Sequence, residues 1–459
     1  MSNYSKHIIN ENTKIKDVIK KINDNHIGII AVQDNNNKFR GILSDSDIRR
    51  LIIKGISLKH SIKNYINTNP FHLNSDYNQA DVIKLITSKK FSELSPGYIP
   101  VLKKKKFLKF LSVIELKKEN YILKKKVNNK NNNQNRVLII GGAGYIGSIL
   151  STILAKAKYN VRIYDKFIYT LDHLKSLKAF KNIEIIKGDT RHIDNLFSAF
   201  QNIDTVVHLA EFVGDPLCSK NPEKTYEINY LATNIIANLC KTFYIKKYIY
   251  ISSCSVYGQN KNNNLLNEDS ELNPQSIYAQ LKLNCEEAIF KNIDEDFNFT
   301  VLRLGTVFGL SLRQRFDLVV NLFCYQAIKI KKISIINGNQ WRPFVHIKDV
   351  AYAIKKVIED KTAVTKQKVY NVIGENITIE NLARIFKKFN NKIELIQKKE
   401  IADLRNYKVS AEKIYTDIKF KPKYNLHKGI KELINFIKKN KIKNINKKKY
   451  HNFMLEKFV

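Results

Sequence analysis

Cysteine is sparse and scattered in this 459-residue chain: Cys218, Cys240, Cys254, Cys285 and Cys324 stand apart, and no Cys-x-x-Cys pair occurs. That excludes a disulfide framework and a structural zinc site of the usual spacing, and no metal is expected. Acid is short as well, with 42 Asp+Glu against 79 Lys+Arg and a formal net charge of +37. The excess is mostly Lys, spread along the chain beside abundant Ile and Asn, as an AT-rich coding bias produces. No nucleic-acid partner is expected from it; its field favours small anionic ligands. Nothing around Met1-Ser-Asn-Tyr-Ser5 reads as a signal peptide. One uncharged stretch, Val137 to Ala155, passes a hydropathy scan, but its glycines and the polar strand pattern after it read as strand–loop–helix. A soluble, cytoplasmic protein without a membrane span is expected.

What is present is room for two or three domains. The first 117 residues contain an internal repeat: Asp17-Val-Ile-Lys-Lys-Ile22 recurs as Asp81-Val-Ile-Lys-Leu-Ile86, each in an amphipathic helical pattern. Short β-like runs follow, Gly28–Val32 and Tyr98–Leu102, then Phe39–Ile48 and Phe107–Leu116. Two such units need each other to bury a common sheet face. This part resembles a tandem pair of CBS motifs, which implies an adenine nucleotide (AMP, ADP or ATP) held between repeats. In Gly41-x-x-Ser44-x-x-Asp47 the resemblance implies that Ser44 and Asp47 contact phosphate and ribose. The second repeat departs from the pattern, with Lys109 and Glu115 in place of glycine and aspartate, though Ser112 is kept. Residues 118–135 are Asn/Lys-rich and aperiodic, a linker. Residues 441–459, continuing the lysine run that starts at Lys438, read as a solvated basic tail.

From Arg136 to about Asn440 apolar runs alternate with helical patterns: Val161–Tyr164, Ile183–Ile186, Thr205–His208, Tyr248–Ile251 and Thr300–Leu304. This is the grammar of an α/β, doubly wound parallel sheet. Its first strand runs into Gly141-x-x-Gly144-x-x-Gly147, a spacing that lets backbone approach a pyrophosphate at a helix N-terminus. Asp165 closes the second strand, where a carboxylate accepts from both ribose hydroxyls and repels a 2′-phosphate, so NAD is favoured over NADP. Asp189, after the third strand, is placed to contact adenine. Tyr278-Ala-Gln-Leu-Lys282 puts a phenol and an ammonium on one helix face. A phenol is a poor base at neutral pH, and a neighbouring cation stabilises its phenolate. Taken alone that pair is a weak signal in a Lys-rich chain; here it follows the hydroxyl-rich Ile251–Gly258.

In order along the chain stand Gly141–Gly147, His208-Leu-Ala-Glu211, Ser252-Ser-Cys-Ser-Val-Tyr-Gly258, Tyr278-x-x-x-Lys282, Arg303–Gly309 and Trp341-Arg-Pro-Phe-Val-His346. In these motifs residues 136–440 resemble the extended short-chain dehydrogenase/reductases, in their NAD-dependent sugar-nucleotide epimerase/dehydratase branch. The resemblance implies a Rossmann core with a smaller C-terminal substrate-binding part, NAD as cofactor, and a nucleotide-diphosphate sugar as substrate. It implies cofactor contacts from Gly141, Gly144, Tyr145, Ile146, Gly147, Asp165, Asp189, Leu209, Ala210, Tyr278 and Lys282. It makes Ser253, Tyr278 and Lys282 catalytic, and Ser253, Cys254, Arg342 and Arg405 substrate-binding. Arg313 and Arg315 fit a phosphate contact or a solvated turn equally well. His346 is expected to be a packed structural histidine, and Asp349 the N-cap of a helix starting at Val350. Cys254 and Ser255 occupy the positions where dehydratases of the branch carry Asp-Glu, which lowers the dehydratase and decarboxylase readings. The expected activity is 4-epimerisation, with a 4-keto-sugar reductase or 4,6-dehydratase as alternatives and a non-catalytic sensor least favoured. A homodimer or larger assembly is expected.

Overall fold

The computed structural model describes residues 6–25, 27–77, 97–112, 135–260, 262–291, 297–398, 405–440, 442 and 444–452. The chain divides into two compact units, Met1–Asn132 and Asn133–Val459.

In the first unit β1 (Ile8–Asn10), α1 (Ile15–Asn25), β2 (Ile29–Gln33), β3 (Phe39–Ser44) and α2 (Asp45–Ile53) follow in order. β1 pairs parallel to β2, and β2 antiparallel to β3. The second repeat reproduces this pattern: β4 (Leu73–Asn74) lies parallel to β5 (Tyr98–Lys103), which pairs antiparallel with β6 (Lys106–Ser112). Each hairpin carries a register shift, at Val32/Gln33 and at Val101/Leu102. Ile15, Val18 and Ile22, one stripe of α1, pack with Ile30, Val32 and Leu43. The second copy of the repeated helical pattern, Asp81–Ile86, and the linker expectation up to residue 134 lie outside the described residues.

The second unit is built on a seven-stranded sheet. Its strands are β7 (Arg136–Ile140), β8 (Asn160–Asp165), β9 (Ile183–Lys187), β10 (Thr205–His208), β11 (Lys247–Ser253), β13 (Phe299–Leu304) and β17 (Lys368–Val372). The spatial order is β17-β13-β11-β10-β7-β8-β9, with every pairing parallel. Val137, Leu138, Ile139 and Ile140 are all buried, as a central strand covered by helices on both faces requires. The order reverses beside β7 and β10, so the crevice for a ligand opens at their C-terminal ends. One face is covered by α3 (Tyr145–Lys156), which shares its core with α5 (Ile347–Glu359). The helix carrying the Tyr–Lys pair is α4 (Ile277–Lys291).

A smaller part adds β12 (Leu265–Leu266) paired with β20 (Lys408–Val409), β14 (Thr306–Phe308), β16 (Trp341–His346) and β18 (Glu375–Thr378) in one sheet, and β15 (Lys332–Ile336) with β19 (Glu394–Lys398). Its core takes in α6 (Leu426–Lys439) together with Ile442 and Ile445. The solvated tail expected from residue 441 is therefore corrected for the described part. Ile442, Ile445, His451 and Asn452 are buried, because isoleucines between the lysines find an apolar groove. Asp349 is corrected too. Helix α5 starts at Ile347 with the His346 imidazole as cap, accepting from Lys348 N–H, while the Asp349 carboxylate accepts from the N–H groups of Lys423 and Tyr424 at 3.0 and 2.9 Å. His346 is fully buried and stacked on Tyr424 at 4.5 Å; burial pushes it down to about 3, so it packs as a neutral ring.

Among the described residues no helix is long and apolar enough to cross a membrane.

Candidate active site

A cavity of about 340 Å³ opens at the C-terminal ends of the central strands. Gly141, Gly144, Tyr145, Ile146 and Gly147 form one wall. Gly141 sits at φ +85, and a Cβ there would meet the Ala210 backbone at 2.7 Å. At Gly147 a Cβ would strike Gly141 O at 2.3 Å, so this glycine lets helix and strand pack. Gly144 differs: it faces open space apart from Gly141 O, and it caps α3 without any side-chain bond. The first N–H groups of α3 thus reach the cavity, a cradle that fits a dinucleotide diphosphate.

Asp165, at the end of β8, accepts from Ala143 N–H at 3.0 Å and Phe167 N–H at 2.8 Å. Burial raises its carboxyl above the usual range, and these N–H groups pull it back. Asp189 lies on the same wall, held by Lys166 at 3.1 Å and Arg191 at 2.8 Å. Burial acts to raise it, but the two cations hold it well below the usual carboxylate range. Leu209 and Ala210, after β10, also line the cavity.

Ser253, Tyr278 and Lys282 meet in the same cavity. Ser253 lies close enough to the Tyr278 hydroxyl to favour its phenolate. Lys282 is buried, its ammonium donating to Ile251 O and standing 5.9 Å from the Tyr278 ring centroid. The strand end that presents Ser253 is braced from behind. Ser252 donates to Glu286, which pairs with Arg303 at 2.7 Å, and Arg303 donates to Tyr257 OH at 3.0 Å.

The sequence assigned no role to Glu211. Its carboxylate, 3 % exposed, pairs with Lys282 and accepts from Tyr250 OH at 2.7 Å. The signal was available: an acid directly after the strand at the topological switch point, where apolar residues would suffice. Four groups act on Tyr278. Burial pushes the phenol up, Lys282 on the same helix pulls it down, Glu211 and Cys218 push it up again, and Ser253 favours the phenolate. For Lys282 burial lowers the ammonium, but Glu211, together with Tyr278 and Cys285, more than restores it. Replacing Glu211 by Gln removes the carboxylate charge facing Tyr278, so the phenol titrates lower. The acid limb of turnover against pH then moves to lower pH. A limb that stays put while melting temperature falls marks Glu211 as a packing residue only.

Two expected substrate contacts lie elsewhere. Cys254 is fully buried behind the strand end, its thiol directed at Arg303 O (3.3 Å) and pushed up by burial; it is not among the residues lining the cavity. Arg342 is also outside the lining: it donates to Trp341 O at 2.9 Å, to Gln340 Oε1 at 2.8 Å and to Arg405 O. Arg405 does reach the cavity, paired with Asp215 at 2.8 Å. Arg342 therefore braces the loop that carries Arg405. Arg313 is buried and Arg315 half-buried in the cavity wall, not in a solvated turn.

In the first unit Ser44 and Asp47 sit at the start of α2 and bond each other. Ser44 N–H donates to Asp47 Oδ2 at 2.9 Å, and Asp47 N–H to Ser44 Oγ at 3.2 Å. This reciprocal capping box is a use of the Ser-x-x-Asp spacing that the nucleotide reading passed over. Gly41 is required by the Asn67 backbone, whose oxygen a Cβ would meet at 2.1 Å.

A glycine-lined helix N-terminus, an acid closing the next strand and a Tyr–Lys pair at one cavity define a nucleotide-cofactor site on a doubly wound sheet. The chain belongs to the NAD dependent epimerase/dehydratase family, whose sequence model matches residues 137–372, and is an enzyme of that family. Residues 5–54 match the CBS domain. The chain is 30% identical over 267 residues to the dTDP-D-glucose 4,6-dehydratase of Dictyostelium discoideum, across 54% of this chain and 60% of that protein. It is 28% identical over 316 residues to a putative UDP-glucose 4-epimerase of Methanocaldococcus jannaschii, across 66% and 99%. Among solved structures, the UDP-glucuronic acid 4-epimerase of Bacillus cereus in complex with UDP-glucuronic acid and NAD aligns with a TM-score of 0.61 at 26% identity, covering 66% of this chain and 99% of that one.

Proposed function

We propose that the second unit is an NAD-dependent 4-epimerase of a nucleotide-diphosphate hexose, acting in the cytoplasm in surface-glycan precursor synthesis. The observation that carries this reading is the convergence of Ser253, Tyr278 and Lys282 on the cavity that also holds the glycine loop and Asp165. When bound, NAD would supply the hydride acceptor for sugar C4 and, once the 4-keto sugar has turned in the pocket, the hydride donor to its opposite face. Tyr278, as phenolate, takes the C4 hydroxyl proton and later gives it back, while Ser253 hydrogen-bonds the same oxygen. Lys282 holds the cofactor ribose and stabilises the phenolate. Arg405 faces the substrate end, with Arg342 positioning its backbone.

The dehydratase reading has the Dictyostelium relative in its favour. Against it, Cys254 and Ser255 are buried, the cavity carboxylate Glu211 is engaged by Lys282, and Asp215, outside the lining, is engaged by Arg405. A 4-keto-sugar reductase uses the same triad. Incubation with UDP-glucose, UDP-galactose and their N-acetyl and GDP counterparts separates these. Epimerisation without added cofactor supports the proposal, and strict dependence on added NADH and a keto-sugar sinks it.

For the first unit we infer control by an adenine nucleotide near Ser44 and Asp47, supported by the CBS match and the α2 N-terminus. A ligand there competes with the capping box. If AMP, ADP and ATP change neither melting temperature nor kinetics, the unit is a scaffold. Assembly as a homodimer or larger belongs to the same proposal and is read by light scattering.

A further inference from the structure

The loop after β14 places two arginines in the cavity wall, and their situations are opposite. Arg315 is matched by Asp317, with Nε and Nη2 each 2.9 Å from its carboxylate. Arg313 is 2 % exposed and stands over the Tyr169 ring at 3.8 Å. Its Nη1 donates to Asn452 Oδ1 at 2.7 Å. Its Nε and Nη2 have no hydrogen-bond partner among the described residues. A buried guanidinium without a counter-ion is costly, and a neutral amide orients it without cancelling its charge.

We propose that Arg313, presented by the chain's own C-terminal segment, binds a phosphate of the dinucleotide. The inference rests on the reading of this cavity as an NAD site. It goes beyond that reading by making residues 449–452 part of the site. Arg313 shares the wall with Gly144, Asp165 and Tyr169, and its charge is felt by Asp165 and by His173, which bonds Ala143 O of the glycine loop at 2.8 Å. These are the dinucleotide end of the cavity; the arginine beside Asp215 is Arg405. The C-terminal segment locks the arrangement at several points. Asn452 N–H donates to Asp317 at 3.0 Å, Phe316 N–H donates to Tyr450 O at 2.9 Å, and Lys449 pairs with Asp172 at 2.9 Å. The two unused donors of Arg313 and the free N–H groups of α3 then approach one anion from two sides.

The test measures melting temperature and calorimetric affinity for NAD⁺, ADP-ribose, adenosine and UDP, using full-length protein cleared of co-purified nucleotide. The variants are Arg313→Met and Asn452→Ala. Arg313→Met removes a buried charge that has no ion-pair partner among the described residues, so the ligand-free protein melts no lower than wild type. NAD⁺ and ADP-ribose affinity fall about 10- to 100-fold, the range of a charged hydrogen bond, while adenosine and UDP are unchanged. Asn452→Ala keeps the charge but frees its orientation, and gives a smaller loss on the same two ligands. Unchanged ADP-ribose affinity overturns the inference, as does a loss confined to UDP or a lower melting temperature with affinity intact. Wild-type protein that binds neither NAD⁺ nor ADP-ribose overturns the cofactor reading itself.

Discussion

Phenylalanine in place of Tyr278 lowers turnover of the nucleotide sugar by about 10²- to 10⁴-fold, the contribution of a well-placed general acid–base. The substitution removes one oxygen from a half-buried ring and leaves Lys282, Glu211 and the glycine loop in place. Affinity for NAD⁺ and melting temperature stay near wild type. The lost oxygen is the one that Lys282 and Ser253 tune toward phenolate, so the loss appears in kcat rather than KM. Steady-state kinetics beside a thermal melt check this. Turnover within a factor of a few of wild type would return the chain to a sensor with a dormant site.

The second large effect falls on stability, behind the site. Arg303 and Glu286 form a salt bridge at 2.7 Å with side chains 5 % and 4 % exposed, and Ser252 and Tyr257 complete the network. Arg303→Leu leaves the Glu286 carboxylate buried with only a hydroxyl donor, which costs about 3–5 kcal/mol. Replacing both partners, Arg303→Leu with Glu286→Leu, recovers most of it, since the cost lies in the stranded charge rather than in the absent pair. Chemical denaturation of the single and double variants measures the difference. A double variant as unstable as the single one would mean that the network holds the strand end by hydrogen bonds alone. Because Ser252 precedes Ser253, the single variant also blurs the position of the Ser253 hydroxyl.

How much of this was legible in the sequence depends on whether a feature is set by local or by tertiary geometry. β7, β8, β10, β11 and β13 read directly as apolar runs, because parallel strands buried on both faces need apolar side chains at nearly every position. β17 did not, since Lys368-Val-Tyr-Asn-Val372 mixes polar with apolar at the sheet edge. Gly141–Gly147 and Tyr278–Lys282 were legible because backbone conformation and helix pitch fix those spacings. Cys254 was misplaced because the chain turns into a short helix directly after Ser253, which sends neighbouring side chains to opposite sides. Arg342 lies beside the site in sequence motif but spends its guanidinium on a loop some sixty residues later. Glu211, Arg313 and Asn452 come together only through the fold. The buried isoleucines of the C-terminal segment were hidden by the lysines between them.

The central claim is that hydride leaves C4 and comes back to C4 within one active site. Nucleotide-glucose carrying deuterium at C4, incubated with the enzyme without added cofactor and followed by NMR, tests it directly. The account predicts the C4 epimer with deuterium retained at C4. Deuterium transferred to C6, or a sugar recovered unchanged, contradicts it.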